Sequence, residues 1–124
     1  MKAKTFCNFC GKELITDMLQ GRDRIVCDSC KEIHYENPLP VAAVVLGNHE
    51  REILLVKRAN ELSKDMWCFP IGLAEMGESI EDAALRELQE EAGVEGKIIQ
   101  LVDVCSEKNS FYGELLIVTF EADK

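Results

Sequence analysis

A chain of 124 residues, 47% hydrophobic and 30% charged, has room for one ordinary domain or two very small ones and the composition of a globular protein. No apolar run approaches the length of a membrane span, and the N-terminal "MKAKTFCNFCGKE" lacks the apolar core of a secretory signal, so a cytoplasmic protein is expected. The formal net charge of −9 argues against nucleic acid as a non-specific partner.

The charge is unevenly placed. Residues 1–36 balance six basic against six acidic side chains, whereas residues 37–124 hold eight basic and seventeen acidic ones and carry the whole excess. If the ligand is itself anionic, a divalent metal has to mediate. In the first segment, "CNFCG" and "CDSC" place Cys7 and Cys10, then Cys27 and Cys30, as two C-x2-C pairs separated by sixteen residues. That is the spacing of a tetrahedral four-cysteine zinc site, with Gly11 helping the first turn to close. Some thirty residues bury too little apolar surface to fold alone, so zinc would supply the folding energy. Two readings compete. A redox C-x-x-C would occur once, after a strand and opening a helix, and disulfides are disfavoured in a chain without a secretory signal. Four thiolates leave zinc no open position for chemistry, and the neutral ribbon speaks against nucleic acid. His34 reads as a packing or surface residue rather than a fifth ligand, and Pro38 and Pro40 mark a boundary. The expected domains are therefore 1–36 and 37–124.

In the second segment, residues 41–47 ("VAAVVLG") and 53–58 ("ILLVKR") read as strands joined by the hairpin connection "GNHERE", which puts His49 in a loop. Residues 66–72 ("MWCFPIG") read as a strand ended by Pro and Gly. A helix follows over 79–92, with Ser79 as N-cap, Asp82 at the capping-box position and Gly93 as the C-terminal stop. Residues 97–107 and 114–122 are two further strands joined by "KNSFYG". Strands around one helix predict a mixed α/β domain. Cys68 and Cys105, alone in apolar surroundings, read as buried small hydrophobes.

The helix carries Glu87, Glu90 and Glu91 at i, i+3 and i+4, where like charges repel, close to a C-terminus whose dipole disfavours anions. At about 100° per residue they fall in the same arc as Ile80, Ala83 and Ala84, so they continue one edge of the apolar stripe. A solvated Glu-rich face would sit away from Ile80. A half-buried acidic cluster needs counter-charge, which Arg86 supplies in part, and its oxygens suit hard cations such as Mg2+ or Mn2+.

Residues 72–94, "GLAEMGESIEDAALRELQEEAGV", resemble the box of the Nudix family, G-x5-E-x7-R-E-U-x-E-E-x-G-U with U a bulky aliphatic residue; every specified position matches. With the ribbon and "HYENP", the chain looks like the subgroup that carries a four-cysteine zinc ribbon ahead of a Nudix domain, related to pyrophosphatases acting on NADH, FAD or ADP-ribose. The resemblance implies an α+β Nudix fold, a mixed sheet with the box helix, and hydrolysis of a nucleoside diphosphate linked to another moiety. It implies that Glu87, Glu90 and Glu91 bind Mg2+ or Mn2+ with the backbone carbonyl of Ile71, that Glu78 and Arg86 orient the cluster, and that Tyr35 contacts substrate or packs between domains. Three alternatives stay open: a non-catalytic nucleotide-binding module, a zinc-ribbon adaptor, and a house-cleaning hydrolase of nucleoside triphosphates. Two departures stand out. The Ser-Gln-Pro-Trp-Pro-Phe-Pro-like stretch of NADH pyrophosphatases is absent from "VDVCSEKNSFYGELL", and Ile71 stands where the family more often has Gly or Ala. The resemblance also implies a further strand, a closing helix and a loop Glu beyond residues 114–122, where this sequence ends at Lys124; a truncated chain, a partner that supplies the rest, or a minimal variant is expected. The expectation is a weak or inactive hydrolase that still binds metal, with a partner chain, including a homodimer, as one way of completing the fold.

Overall fold

The computed structural model describes residues 3–58 and 65–124. The chain divides into two compact units, Met1–Asn37 and Pro38–Lys124. Among the described residues, no helix is long and apolar enough to cross a membrane.

The first unit is a three-stranded antiparallel sheet, β1 (Ile15–Leu19), β2 (Arg22–Val26) and β3 (Ile33–His34), in that spatial order. Two loops of the same geometry hold the cysteines. In one, the Gly11 N–H donates to the Cys7 carbonyl (2.8 Å) and the Cys7 N–H to the Lys12 carbonyl (2.7 Å); in the other, the Lys31 N–H donates to the Cys27 carbonyl (2.8 Å) and the Cys27 N–H to the Glu32 carbonyl (2.9 Å). Each turn needs a left-handed residue after its second cysteine. Gly11 provides it at φ 77°, and Lys31 adopts it at φ 66° despite its Cβ. His34 is buried beside Phe9, with ring centroids 5.9 Å apart, in the packing role expected of it.

The second unit is built on β4 (Leu39–Leu46), an inner strand whose residues face packed neighbours on both sides. Its unbroken apolar run is what such a central strand requires. A four-stranded mixed sheet has the order β7 (Ile71–Leu73), β4, β9 (Gly113–Asp123), β8 (Lys97–Asn109). β4 runs parallel to β9 and antiparallel to β7, and β8 is antiparallel to β9. Helix α1 (Ile80–Ala92) lies on one face, where the fully buried Ala83, Ala84 and Leu88 meet Ala42, Val44, Phe120 and Ala122. The two alanines let the helix backbone come close to the sheet. Ser79 caps the helix, its Oγ accepting from the Asp82 N–H at 3.0 Å, and Gly93 closes it at φ 67° with its N–H on the Gln89 carbonyl. The opposite face of the sheet presents Val41, Ala43, Leu115 and Ile117.

Three local expectations need correction. The run 66–72 is not one strand. Trp67–Cys68 forms β6 and Ile71–Leu73 forms β7, because Pro70 between them has no N–H for a ladder, although its carbonyl accepts from the Val44 N–H at 3.0 Å. Residues 53–58 contribute only the two-residue β5 (Val56–Lys57), which pairs with β6; the hairpin from β4 is held instead by a bridge between Gly47 and Ile53. Neither isolated cysteine is buried: Cys68 is half-buried, and Cys105 is exposed because β8 is an outer strand.

Leu88→Ala should cost about 2–5 kcal/mol of stability, since the site is fully enclosed between helix and sheet and a void would remain. Urea denaturation of wild type and variant measures it.

Candidate active site

The register of β7 against β4 fixes which backbone groups are free. The Val44 N–H bonds to the Pro70 carbonyl and the Ala74 N–H to the Pro40 carbonyl, both at 3.0 Å. The ladder therefore uses residues 70, 72 and 74, and Ile71 and Leu73 direct their N–H and C=O groups away from β4 toward the open edge. Side chains of α1 meet that edge. The Ile71 N–H donates to Glu91 Oε2 at 3.1 Å, and the Leu73 carbonyl accepts from Arg86 Nη2 at 3.0 Å. The Ile71 carbonyl points to the same open side.

Arg86 organises the carboxylates. Its Nε and Nη2 donate to Glu78 Oε2 and Oε1 at 3.0 and 2.8 Å, a two-pronged pair. Its Nη1 donates to Glu87 Oε1 at 2.8 Å and to Glu90 Oε2 at 3.3 Å. One guanidinium thus spans three carboxylates and one carbonyl. It holds the Glu78 carboxyl down at about 2, helped by the Glu75 N–H, which donates to Glu78 Oε1 at 2.7 Å. The Arg86 guanidinium is itself made harder to deprotonate, first by Glu78 and then by Glu87. Glu91 differs. Loss of hydration where its carboxylate meets the β7 edge pushes its pKa up, with Glu87 and Glu90 adding repulsion, against the pull of the Ile71 N–H and of Arg58, although much of the side chain stays exposed.

Glu87 is the buried member, 8% exposed, whereas Glu90 and Glu91 are exposed. The half-buried cluster expected from the helix arc is therefore graded, because only Glu87 projects under β7. It does so through a gap that the sequence supplies. A Cβ at Gly72 would collide with the Glu87 carboxylate, so only glycine leaves room for that side chain against the strand. Gly72 was visible in the sequence as a motif position, but its partner was not.

Of the residues singled out from the sequence, Glu78, Arg86, Glu87, Glu90, Glu91 and Ile71 converge on the β7 edge of the second unit. Tyr35 belongs to the first unit, where its hydroxyl lies 3.5 Å from Gln20 Oε1 and the Arg24 guanidinium sits over its ring at 5.1 Å. Cys7, Cys10, Cys27 and Cys30 also converge. Their sulfurs all lie within 4.8 Å of one another, with Cys7–Cys30 at 3.6 Å and Cys10–Cys27 at 3.4 Å, close to the edge of roughly 3.8 Å that Zn–S bonds of about 2.3 Å give a tetrahedron. Among the described residues they are the only acidic, histidine or cysteine set so tightly gathered. The three glutamates are spread instead between Arg86 and the Ile71 N–H.

Beside Glu90 and Glu91 opens a groove of about 690 Å3 on the face of the sheet opposite α1. Its floor is apolar, including Val41, Leu115 and Ile117, and Lys57, Arg58 and Cys68 stand on the near wall. The sequence reading missed Arg58, which carries no motif of its own.

The family pattern described as NUDIX domain matches residues 37–122, and that described as Nudix N-terminal, a zinc ribbon, matches residues 5–36. The chain is 40% identical over 114 residues to an ADP-ribose pyrophosphatase of Methanocaldococcus jannaschii, covering 86% of this chain and 64% of that protein. It is 31% identical over 101 residues to the NAD-capped RNA hydrolase NudC of Pectobacterium carotovorum, covering 82% of this chain and 37% of that protein. In structure it is similar to a NUDIX hydrolase from Nitrosomonas europaea, with a TM-score of 0.81 and 30% identity over 97% of this chain and 67% of the other. The chain spans from 20% to 64% of the length of eight of the curated relatives it matches. It belongs to the Nudix family, in the group with an N-terminal zinc ribbon.

Two outcomes follow from this geometry. Gly72→Ala should displace the Glu87 carboxylate and weaken its bond to Arg86, which a crystal structure of the variant would show directly, alongside a lowered Tm. Because folding lowers the Glu78 pKa from its ordinary 4.5 to about 2, the pair stabilises the fold above pH 4.5 and loses that contribution as pH falls from 4.5 toward 2. Thermal unfolding followed from pH 6 to 2 should show this loss in wild type and a flatter profile in Glu78→Gln.

Proposed function

We propose that the Nudix unit hydrolyses the pyrophosphate bond of a nucleoside diphosphate linked to a second moiety, with ADP-ribose-type compounds as the leading substrates, in a reaction dependent on Mg2+ or Mn2+. One observation carries the reading: the carboxylate edge of α1 meets the open backbone edge of β7 at the mouth of a groove. The 40% identity to a protein named ADP-ribose pyrophosphatase, across most of this chain, supports the substrate class.

The donor set fits hard divalent cations, because it offers carboxylates and a carbonyl with no sulfur or nitrogen at its centre. Glu87, Glu90, Glu91 and the Ile71 carbonyl would hold such ions. The chemistry that bound divalent ions supply is neutralisation of the diphosphate and acidification of a water. The chain's own residues do the rest. Arg86 fixes the rotamers of Glu78, Glu87 and Glu90, so the site is organised before substrate arrives. Among the described residues, Glu91 bonds only through Oε2, so Oε1, on a residue that lines the groove, is left to hold an ion or accept the proton of the attacking water. Lys57 and Arg58 on the near wall supply positive charge to an anionic substrate in a domain that is otherwise strongly acidic. In the first unit we assign Zn2+ to Cys7, Cys10, Cys27 and Cys30, as a closed structural site.

A second reading, cleavage of an NAD-type diphosphate, is favoured by the similarity to the Pectobacterium protein, although the stretch associated with NADH enzymes is missing here.

A panel of ADP-ribose, FAD, NADH and nucleoside triphosphates with Mg2+ or Mn2+ should show turnover of ADP-ribose above the rest. Glu91→Gln should lower kcat by about 100-fold or more, an effect of the size expected for an essential acid–base or charge-stabilising group. Equal rates for variant and wild type would refute the site.

A further inference from the structure

The groove has a second end with different chemistry. β7 and β8 are the outer strands of the sheet, three strand spacings or about 14 Å apart. The carboxylates of α1 gather at the β7 side, and the β8–β9 hairpin closes the other side with Glu107 and Tyr112. Between them the apolar floor steps across the sheet, with Val41 opposite Ile117 and Leu115 opposite Glu107.

Tyr112 is half-buried, with one side packed on the Leu115–Ile117 cluster. The Phe111 ring stands edge-on to it, centroids 4.8 Å apart at 84°. The turn that presents it is rigid, because Asn109 Oδ1 accepts from the N–H groups of both Phe111 (2.8 Å) and Tyr112 (3.0 Å). A fixed aromatic at the end of an apolar floor is a stacking surface for a planar ring. Glu107 can only accept hydrogen bonds, and among the described residues it takes part in no ion pair. A carboxylate there repels phosphate and suits a neutral diol or an exocyclic amine. The near wall has the opposite character: Arg58 lies close enough to Glu91 to draw on its charge, and Lys57, paired with Asp65 at 3.7 Å, also lines the groove.

We infer that Tyr112 and Glu107 form the nucleoside subsite of the groove, Tyr112 stacking on the base and Glu107 accepting from the ribose diol. The inference rests on the hydrolase reading only in placing the diphosphate at the Glu91 end. The groove is thereby polarised: phosphates lie between metal-binding carboxylates and cations, and the nucleoside lies three strands away. Selectivity for ribose over deoxyribose comes from Glu107, and tolerance among bases from a π-face that has no hydrogen-bond code.

The test is calorimetric titration of nucleoside monophosphates, with AMP first, into wild type, Tyr112→Phe, Tyr112→Leu and Glu107→Gln, with inorganic pyrophosphate plus Mg2+ as a control ligand and thermal melts to establish folding. Tyr112→Leu should weaken AMP by about tenfold or more while Tyr112→Phe binds as wild type, since the ring and not the hydroxyl does the stacking. Glu107→Gln should remove the preference for AMP over 2′,3′-dideoxy-AMP. Pyrophosphate binding should be unchanged in all three. Unchanged AMP affinity in both Tyr112→Leu and Glu107→Gln overturns the subsite, and if ADP-ribose is still turned over, the hydrolase reading stands without it. Tyr112-dependent AMP binding in a protein that hydrolyses none of the panel upholds the subsite and removes the hydrolase reading. Failure of wild type to bind any nucleoside monophosphate also overturns the subsite.

Discussion

Arg86 is the charge on which the acidic edge of α1 depends. Glu87 and Glu90 would otherwise crowd one another toward the end of a helix whose dipole already disfavours them, with Glu78 from the preceding loop brought against them. One planar guanidinium reconciles them, bonding Glu78 with two prongs and Glu87 and Glu90 with a third nitrogen-borne proton set, and it spends its remaining contact on the Leu73 carbonyl. A lysine could neutralise one of these partners but not hold all four at fixed angles. The same residue therefore ties the loop before the helix, the helix and the edge strand into one rigid corner.

The rest of the second unit is arranged so that this corner meets a groove. Small residues bring α1 down on β4: Ala83 and Ala84 on the helix and Ala42 on the strand are all fully buried. That close approach puts Glu87 under β7, where only a glycine can accommodate it. The sheet then offers its other face, with Val41 and Ile117, as the groove floor. One strand, β4, thus supports the helix on one side and the groove on the other.

Much of this was legible in the residues. Ser79 and Gly93 delimited α1 correctly, since both caps act through local backbone geometry that sequence encodes directly. The cysteine spacing anticipated the gathering of four thiols, because each knuckle is a local turn. What failed were properties set by neighbours distant in sequence. Cys105 looked buried from its apolar surroundings, but β8 is an outer strand, and its residues alternate between faces that nothing else in the chain announces. The break of residues 66–72 into two strands follows from Pro70 and from β5 competing for the first half of the run. The helix arc identified an edge of carboxylates but not their unequal burial, which depends on the gap above Gly72. Glu107 and Tyr112 bore no motif and gained significance only from their position on the hairpin.

The alternation along β7 has a further consequence. Odd-numbered residues of this short strand face the open edge and even-numbered ones face β4, so the parity of the chain between Pro70 and Ala74 is a structural quantity. Inserting or deleting a single residue there would exchange the two sets. The Ile71 and Leu73 backbone groups would turn into the ladder, Gly72 would leave its place above Glu87, and Arg86 and Glu91 would lose their contacts at once. A substitution at one position of this strand alters the contacts of that residue alone, whereas a change in its length acts on every one. Length variation among related chains should therefore collect in the loops on either side of residues 70–74 and be excluded from within them.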